Sequence, residues 1–222
     1  MPNYSADIML DVKGMKNLYE SFRDYVAIEM LDGKNKYPAG GFGLQDAKKG
    51  IIFETFPPVL HLQLNRSEYD IQRGSLVKVR DRHEFPLEIN LDEFLDVNAD
   101  RSQPWIYKLH GVLVHSDDIH GGHYFSLVKP DNESRWLKFD DGRVTPATDK
   151  EVLQENCGSE PWNGIPPALR RDQVLTIKPF TSAYILVYIR ESAIKEVLAP
   201  LVDEDTPPHL SESSVFLMHD FV

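Results

Sequence analysis

The residues best placed to do chemistry lie in YKLHGVLVHSDDIHGGHYFSLVKP, residues 107–130, which reads as a strand, a polar loop and a second strand. His123 opens the second strand directly after Gly121 and Gly122. Two glycines permit tight backbone geometry and let another chain pass close to the imidazole. Further along, WLKFDDGRV reads as a strand, Trp136–Phe139, that delivers Asp140 and Asp141 at its end. If the two strands are antiparallel neighbours, Asp140 stands beside the His123 ring. A carboxylate there fixes the tautomer and stabilises the imidazolium. The pair would be a base and its orienter, needing a nucleophile.

Other readings compete. A histidine near an aspartate is commonly a surface or hydrogen-bonded structural residue. His110, His115, His120 and His123 are close in sequence, as metal ligands are. On a strand, however, His110 and His115 face opposite sides, and no Cys or Glu at ligand spacing completes a set, so no metal is expected. No G-x-S-x-G elbow is present, and Ser116 and Ser126 lie too close to His123 to serve it as nucleophiles. The one cysteine, Cys157, follows in a loop beside Gly158. With no helix N-terminus evident to lower its pKa, it is expected to be an incidental thiol.

The elements that must position these groups follow from the pattern. Ile8, Leu10 and Val12 alternate with Met9, Asp11 and Lys13 as a half-buried strand stopped by Gly14. Asn17 caps a helix with Glu20 as its capping-box partner, and Leu18, Phe22, Tyr25 and Val26 recur at helical spacing. Residues 32–43 read as a loop. Short apolar runs at 51–55, 59–64, 76–79 and 85–89 read as strands, and stronger ones at 105–115, 123–128, 136–139 and 183–189 follow. Residues 156–181 read as a loop insertion, 192–201 as a short helix, and 211–222 show no period. One α+β unit with a large, mostly antiparallel sheet is predicted.

Composition narrows the function classes. The net charge of −11 argues against nucleic acid as a partner. No apolar run approaches the roughly 20 residues that span a bilayer, so no membrane span is expected. The absence of a basic, then apolar, N-terminal stretch and the single cysteine point to a reducing compartment, cytosolic or nuclear.

The span Tyr107–Tyr124 resembles the histidine box of the ubiquitin-specific protease family, through Tyr107, Leu109, Gly111, Val112, His115, Gly122, His123 and Tyr124. Asp117 stands where that family usually has glycine, a position asking for left-handed geometry, which Asp tolerates better than most residues. SFRDYVAIEMLDGKNKY, FPPVLHLQLNR, WLKFDD and SAYILVY resemble further family segments, with Ser67 replacing a usual phenylalanine. The pattern is nearest to the herpesvirus-associated branch and its fungal counterparts.

The resemblance implies a partial papain-like cysteine proteinase fold over residues 1–202, the fingers and palm without the thumb helices, with residues 203–222 unplaced. It implies His123 as general base, Asp140 as its orienter and Asp141 as an accessory carboxylate near the oxyanion region. Tyr124, His115, His120 and Tyr69 would line the cleft for the ubiquitin tail, with Gly121 and Gly122 forming a narrow channel. No cysteines follow Asn35, Lys36 and Tyr37, where many relatives place zinc ligands, so no zinc or other cofactor is expected. The family's cysteine box does not occur in these residues. The chain is therefore expected to be inactive alone: part of a deubiquitinating cysteine protease, a partner for a separate thumb half, or a non-catalytic ubiquitin-binding pseudo-protease. Ubiquitin and ubiquitinated proteins are the expected partners.

Overall fold

The computed structural model describes residues 7–117, 121–131, 135–159 and 181–200. In chain order the elements are β1 (Asp7–Asp11), α1 (Leu18–Tyr25), β2 (Glu29–Leu31), β3 (Tyr37–Pro38), β4 (Leu44–Gln45), β5 (Ala47–Lys49) and β6 (Val59–Asn65). They continue with β7 (Ser67–Asp70), β8 (Ser75–Lys78), β9 (Glu88–Asn90), β10 (Ile106–Ser116) and β11 (His123–Val128). The chain then forms β12 (Leu137–Asp140), β13 (Arg143–Pro146), β14 (Thr181–Arg190) and α2 (Ile194–Val197).

Eight strands form one sheet in the order β1-β6-β14-β10-β11-β12-β13, with β9 also on β10. Only the β1–β6 pair is parallel; the other pairings in this sheet are antiparallel. The α+β class and mostly antiparallel sheet expected from the sequence are thus observed. Period-two alternation explains which face is buried. Leu60, Leu62 and Leu64 on β6, Val112 and Val114 on β10, and Leu127 on β11 all point into one core. Fully burying such a side chain is worth about 1.5–3 kcal/mol.

The first helix forms as its caps dictate. The Asn17 side chain accepts from the Glu20 amide at 3.0 Å, while the Glu20 carboxylate accepts from the amide of Lys16 at 2.7 Å. The return bond thus reaches one residue further out than in the usual box. Leu18 and Phe22 enter the core, where Phe22 stacks on Phe94 at 5.0 Å.

Expectations about three elements change, and of the strand read at 85–89 only Glu88–Asn90 forms. Residues 51–55 are not a strand; beyond one bridge from Phe53 to Leu95, the segment docks by side chain. Phe53 packs on Phe56 at 4.5 Å and Tyr25 at 5.9 Å, so an aromatic cluster takes the segment instead of a ladder. Residues 32–43 are not all loop, since β3 pairs with β4 across a 3₁₀ turn at Gly40–Phe42. The expected loop insertion is described only at its edges, and residues 203–222 lie outside the described residues.

Arg66, just past β6, is 1% exposed and ties distant segments together. Its guanidinium donates to the carbonyls of Ala183 (2.8 Å), Asp81 (3.0 Å), Cys157 (3.1 Å) and Val79 (3.3 Å). The planar fork with five donors suits this carbonyl nest.

Candidate active site

Register places the chemistry. On β10 and β11, Ser116 lies opposite His123 and His115 opposite Tyr124. On β11 and β12, Ser126 lies opposite Phe139 and Leu127 opposite Lys138. Side chains alternate along each strand, so His123, Phe125, Lys138 and Asp140 share one face. His123 Nε2 meets Asp140 Oδ1 at 2.5 Å, and the Lys138 ammonium meets the other oxygen, Oδ2, at 2.8 Å. Lys138 also lies 4.1 Å over the Phe125 ring. Both oxygens of Asp140 are engaged, which fixes the carboxylate and leaves Nδ1 as the imidazole nitrogen able to take another proton.

The electrostatics follow from these contacts. The hydrogen bond to Asp140 is the main cause raising the His123 pKa above its ordinary value, helped by the charge of Asp141 and opposed by burial and Lys138. The Lys138 contact, then that of His123, holds the Asp140 carboxyl below the usual carboxylate range. Both side chains remain partly solvent-accessible. Such an imidazole favours the charged member of a thiolate–imidazolium pair.

Asp141 forms the turn between β12 and β13 with φ +51°, a left-handed conformation that Asp adopts more readily than most residues. Its carboxylate lies within 4.8 Å of the donor atoms of His123 and Asp140, and the three together have the ligand types of a metal site. The ammonium on Asp140 competes for that position.

The pair opens on a cleft of about 520 Å³ whose walls include Ser116, Phe125, Glu151, Glu155 and Asn156. On the opposite face His115 is 5% exposed, its ring packed at a tilt against Tyr124 at 4.5 Å and Tyr184 at 5.1 Å. Asp117 has φ +66°, the left-handed geometry expected where glycine is usual. Gly122, with φ +124°, has no room for a side chain: a Cβ would lie 2.2 Å from the Ser116 carbonyl oxygen.

The structure brings together His123, Asp140 and Asp141, and on the reverse face His115 and Tyr124, adjoining Gly121 and Gly122. Tyr69 stands exposed on the β7–β8 hairpin, with no ring contact to the His115 cluster among the described residues. His120 lies outside the described residues. Cys157 is fully buried, its thiol donates to the Leu153 carbonyl, and burial pushes its pKa up to about 11. A thiol so placed is inert.

Sequence reading missed Lys138, although its place two positions before Asp140 on one strand was a usable signal. Lys78 and Tyr184 had no such signal: Tyr184 reaches His115 because β14 pairs with β10, and Lys78 reaches it from the separate β7–β8 hairpin. Glu151 and Glu155 reach the cleft on a π-helical turn, Glu151–Glu155, that has no sequence signature.

Over most of its length the chain is similar to known proteins. The family model for ubiquitin carboxyl-terminal hydrolase matches residues 14–188. Ubiquitin carboxyl-terminal hydrolase 15 of Schizosaccharomyces pombe is 53% identical over 210 residues, 92% of this chain and 18% of the relative. Ubiquitin carboxyl-terminal hydrolase 15 of Saccharomyces cerevisiae is 47% identical over 217 residues, covering 92% and 18%. Ubiquitin C-terminal hydrolase 12 of Arabidopsis thaliana is 47% identical over 211 residues, covering 92% and 19%. The chain thus spans less than a fifth of the length of these relatives. Among solved structures, the SAGA Ubp8/Sgf11/Sus1/Sgf73 DUB module bound to ubiquitin aldehyde superposes with a TM-score of 0.62 at 29% identity, over 83% of this chain and 35% of that one. The chain belongs to the ubiquitin carboxyl-terminal hydrolase family.

Proposed function

We propose that this chain carries the base-and-orienter half of a thiol-dependent deubiquitinase site. The observation that supports this most is the His123–Asp140 hydrogen bond through Nε2, which leaves Nδ1 for a thiol. A cysteine supplied from outside these residues gives its proton to Nδ1, and the thiolate attacks the carbonyl of the last ubiquitin glycine. The imidazolium then protonates the leaving lysine amine, a thioester forms, and water, deprotonated by the same imidazole, releases ubiquitin. Asp140 holds the ring and stabilises its positive charge throughout. Asp141 adds negative charge beside the imidazolium, and Gly121, Gly122, Tyr124, His115 and Tyr69 border the path of the ubiquitin tail.

By this reading the chain binds ubiquitin and ubiquitinated proteins, acts in the cytosol or nucleus, and needs no metal. Cys157 cannot serve as the nucleophile, since its sulfur is buried and held protonated. That burial also favours the second reading, a ubiquitin-binding module without catalysis of its own. Titration with ubiquitin, followed by a ubiquitin probe bearing a C-terminal electrophile, tests both. Binding without a covalent adduct is the expected result. An adduct on Cys157, or no binding at all, would count against it.

A further inference from the structure

On the face opposite the proposed base, a buried lysine meets two backbone carbonyls and an imidazole. Lys78, 8% exposed at the end of β8, directs its ammonium at backbone carbonyls and a ring. Nζ lies 2.8 Å from the Asp117 carbonyl, 3.2 Å from the His115 carbonyl and 3.0 Å from His115 Nδ1. A buried ammonium needs its hydrogen bonds made, so it strongly constrains whatever it touches. Here it holds the exit of β10, where Asp117 adopts φ +66°.

The His115 ring carries that constraint to Gly121 and Gly122. Since the ammonium can only donate, Nδ1 accepts and Nε2 bears the proton of the neutral imidazole. Burial first, and Lys78 second, lower the His115 pKa and favour this neutral form. The Gly121 backbone is a hydrogen-bonding neighbour of the ring, and a Cβ on Gly122 would sit 2.7 Å from Nε2. Tyr124 and Tyr184 wall the ring in at 4.5 and 5.1 Å. His123 follows Gly122 directly.

We propose that Lys78 and His115 are positioning residues that hold His123 in register with Asp140 by fixing the exit of β10 at Asp117 and the entry to β11 at Gly121 and Gly122. The proposal rests on His123 being the base. His115 lies on the opposite face of β10 and β11 from the His123 side chain and acts only through the backbone of Gly121 and Gly122. The clamp needs a side chain that accepts at one end and donates at the other, which Gln retains and Phe does not.

The test is ring NMR of His123 in the intact chain, comparing wild type with Lys78→Met, His115→Phe and His115→Gln. His115→Phe keeps the ring packing against Tyr124 and Tyr184 but removes both polar contacts. In Lys78→Met and His115→Phe the His123 proton affinity should fall at least about threefold, half a pKa unit. His115→Gln should restore it. Amide spectra of β10 and β11 verify that each variant is folded, and Lys78→Met covers the case in which His115→Phe is not. Unchanged His123 titration in the folded variants, or a Gln variant shifted as far as the Phe variant, overturns the proposal. Failure of the deubiquitinase reading would show differently, as wild-type chain that does not bind ubiquitin while the His123–His115 coupling persists.

Discussion

His83 should make this protein acid-sensitive in a way that one substitution removes. Its side chain is fully buried, with Nδ1 at 3.1 Å from the Met15 carbonyl and Nε2 without a hydrogen-bond partner among the described residues. Burial, reinforced by the Arg66 charge, pushes its pKa down to about 4 from 6.5. A depressed histidine pKa means that the unfolded chain binds the proton first. Stability is therefore complete above about pH 6.5 and falls as the pH drops towards 4. Each pKa unit is worth 1.36 kcal/mol, so the loss between about pH 7.5 and pH 4.5 is about 2.5 kcal/mol. His83→Leu lacks this term, whereas carboxylates such as Asp140 contribute to both proteins and cancel in the difference. Urea unfolding followed by tryptophan fluorescence across that range should give wild type a drop about 2.5 kcal/mol larger than the variant's. Parallel stability curves would refute the reasoning, because His83 would then titrate alike in both states.

Two further substitutions probe the frame of the site. Arg66→Met leaves four backbone carbonyls without their donor and should destabilise the chain by about 3 kcal/mol in urea unfolding; Arg66→Lys should rescue little, since an ammonium cannot span the same fork. Gly122→Ala forces a Cβ against the Ser116 carbonyl at a φ of +124°, so melting should show a loss of about 2 kcal/mol or more, and ring NMR should show a weakened His123–Asp140 bond.

Much of the site was legible because it depends on local rules. A strand ends where its apolar run ends, and period two puts Lys138 and Asp140 on one face. Asn17 and Glu20 announced the helix start by chemistry that reaches only three residues. What depends on non-local packing stayed hidden. Residues 51–55 have an apolar, β-branched composition, but the following Pro57 and Pro58 have no amide donors, and Phe53 gains more from the aromatic cluster than from a ladder. Lys78 and Tyr184 belong to strands distant in sequence from β11. The burial of Cys157 likewise follows from the Arg66 nest, which joins segments far apart in sequence.

In the proposed site, His123 and Asp140 serve a thiol supplied from elsewhere. The most direct measurement replaces the matching segment of the Schizosaccharomyces pombe relative, 53% identical, with this chain and follows release of a fluorophore from the ubiquitin C-terminus. The chimera should hydrolyse the reporter, and His123→Gln should reduce kcat by at least about a hundredfold while ubiquitin still binds. A His123→Gln chimera as active as its parent would contradict the account.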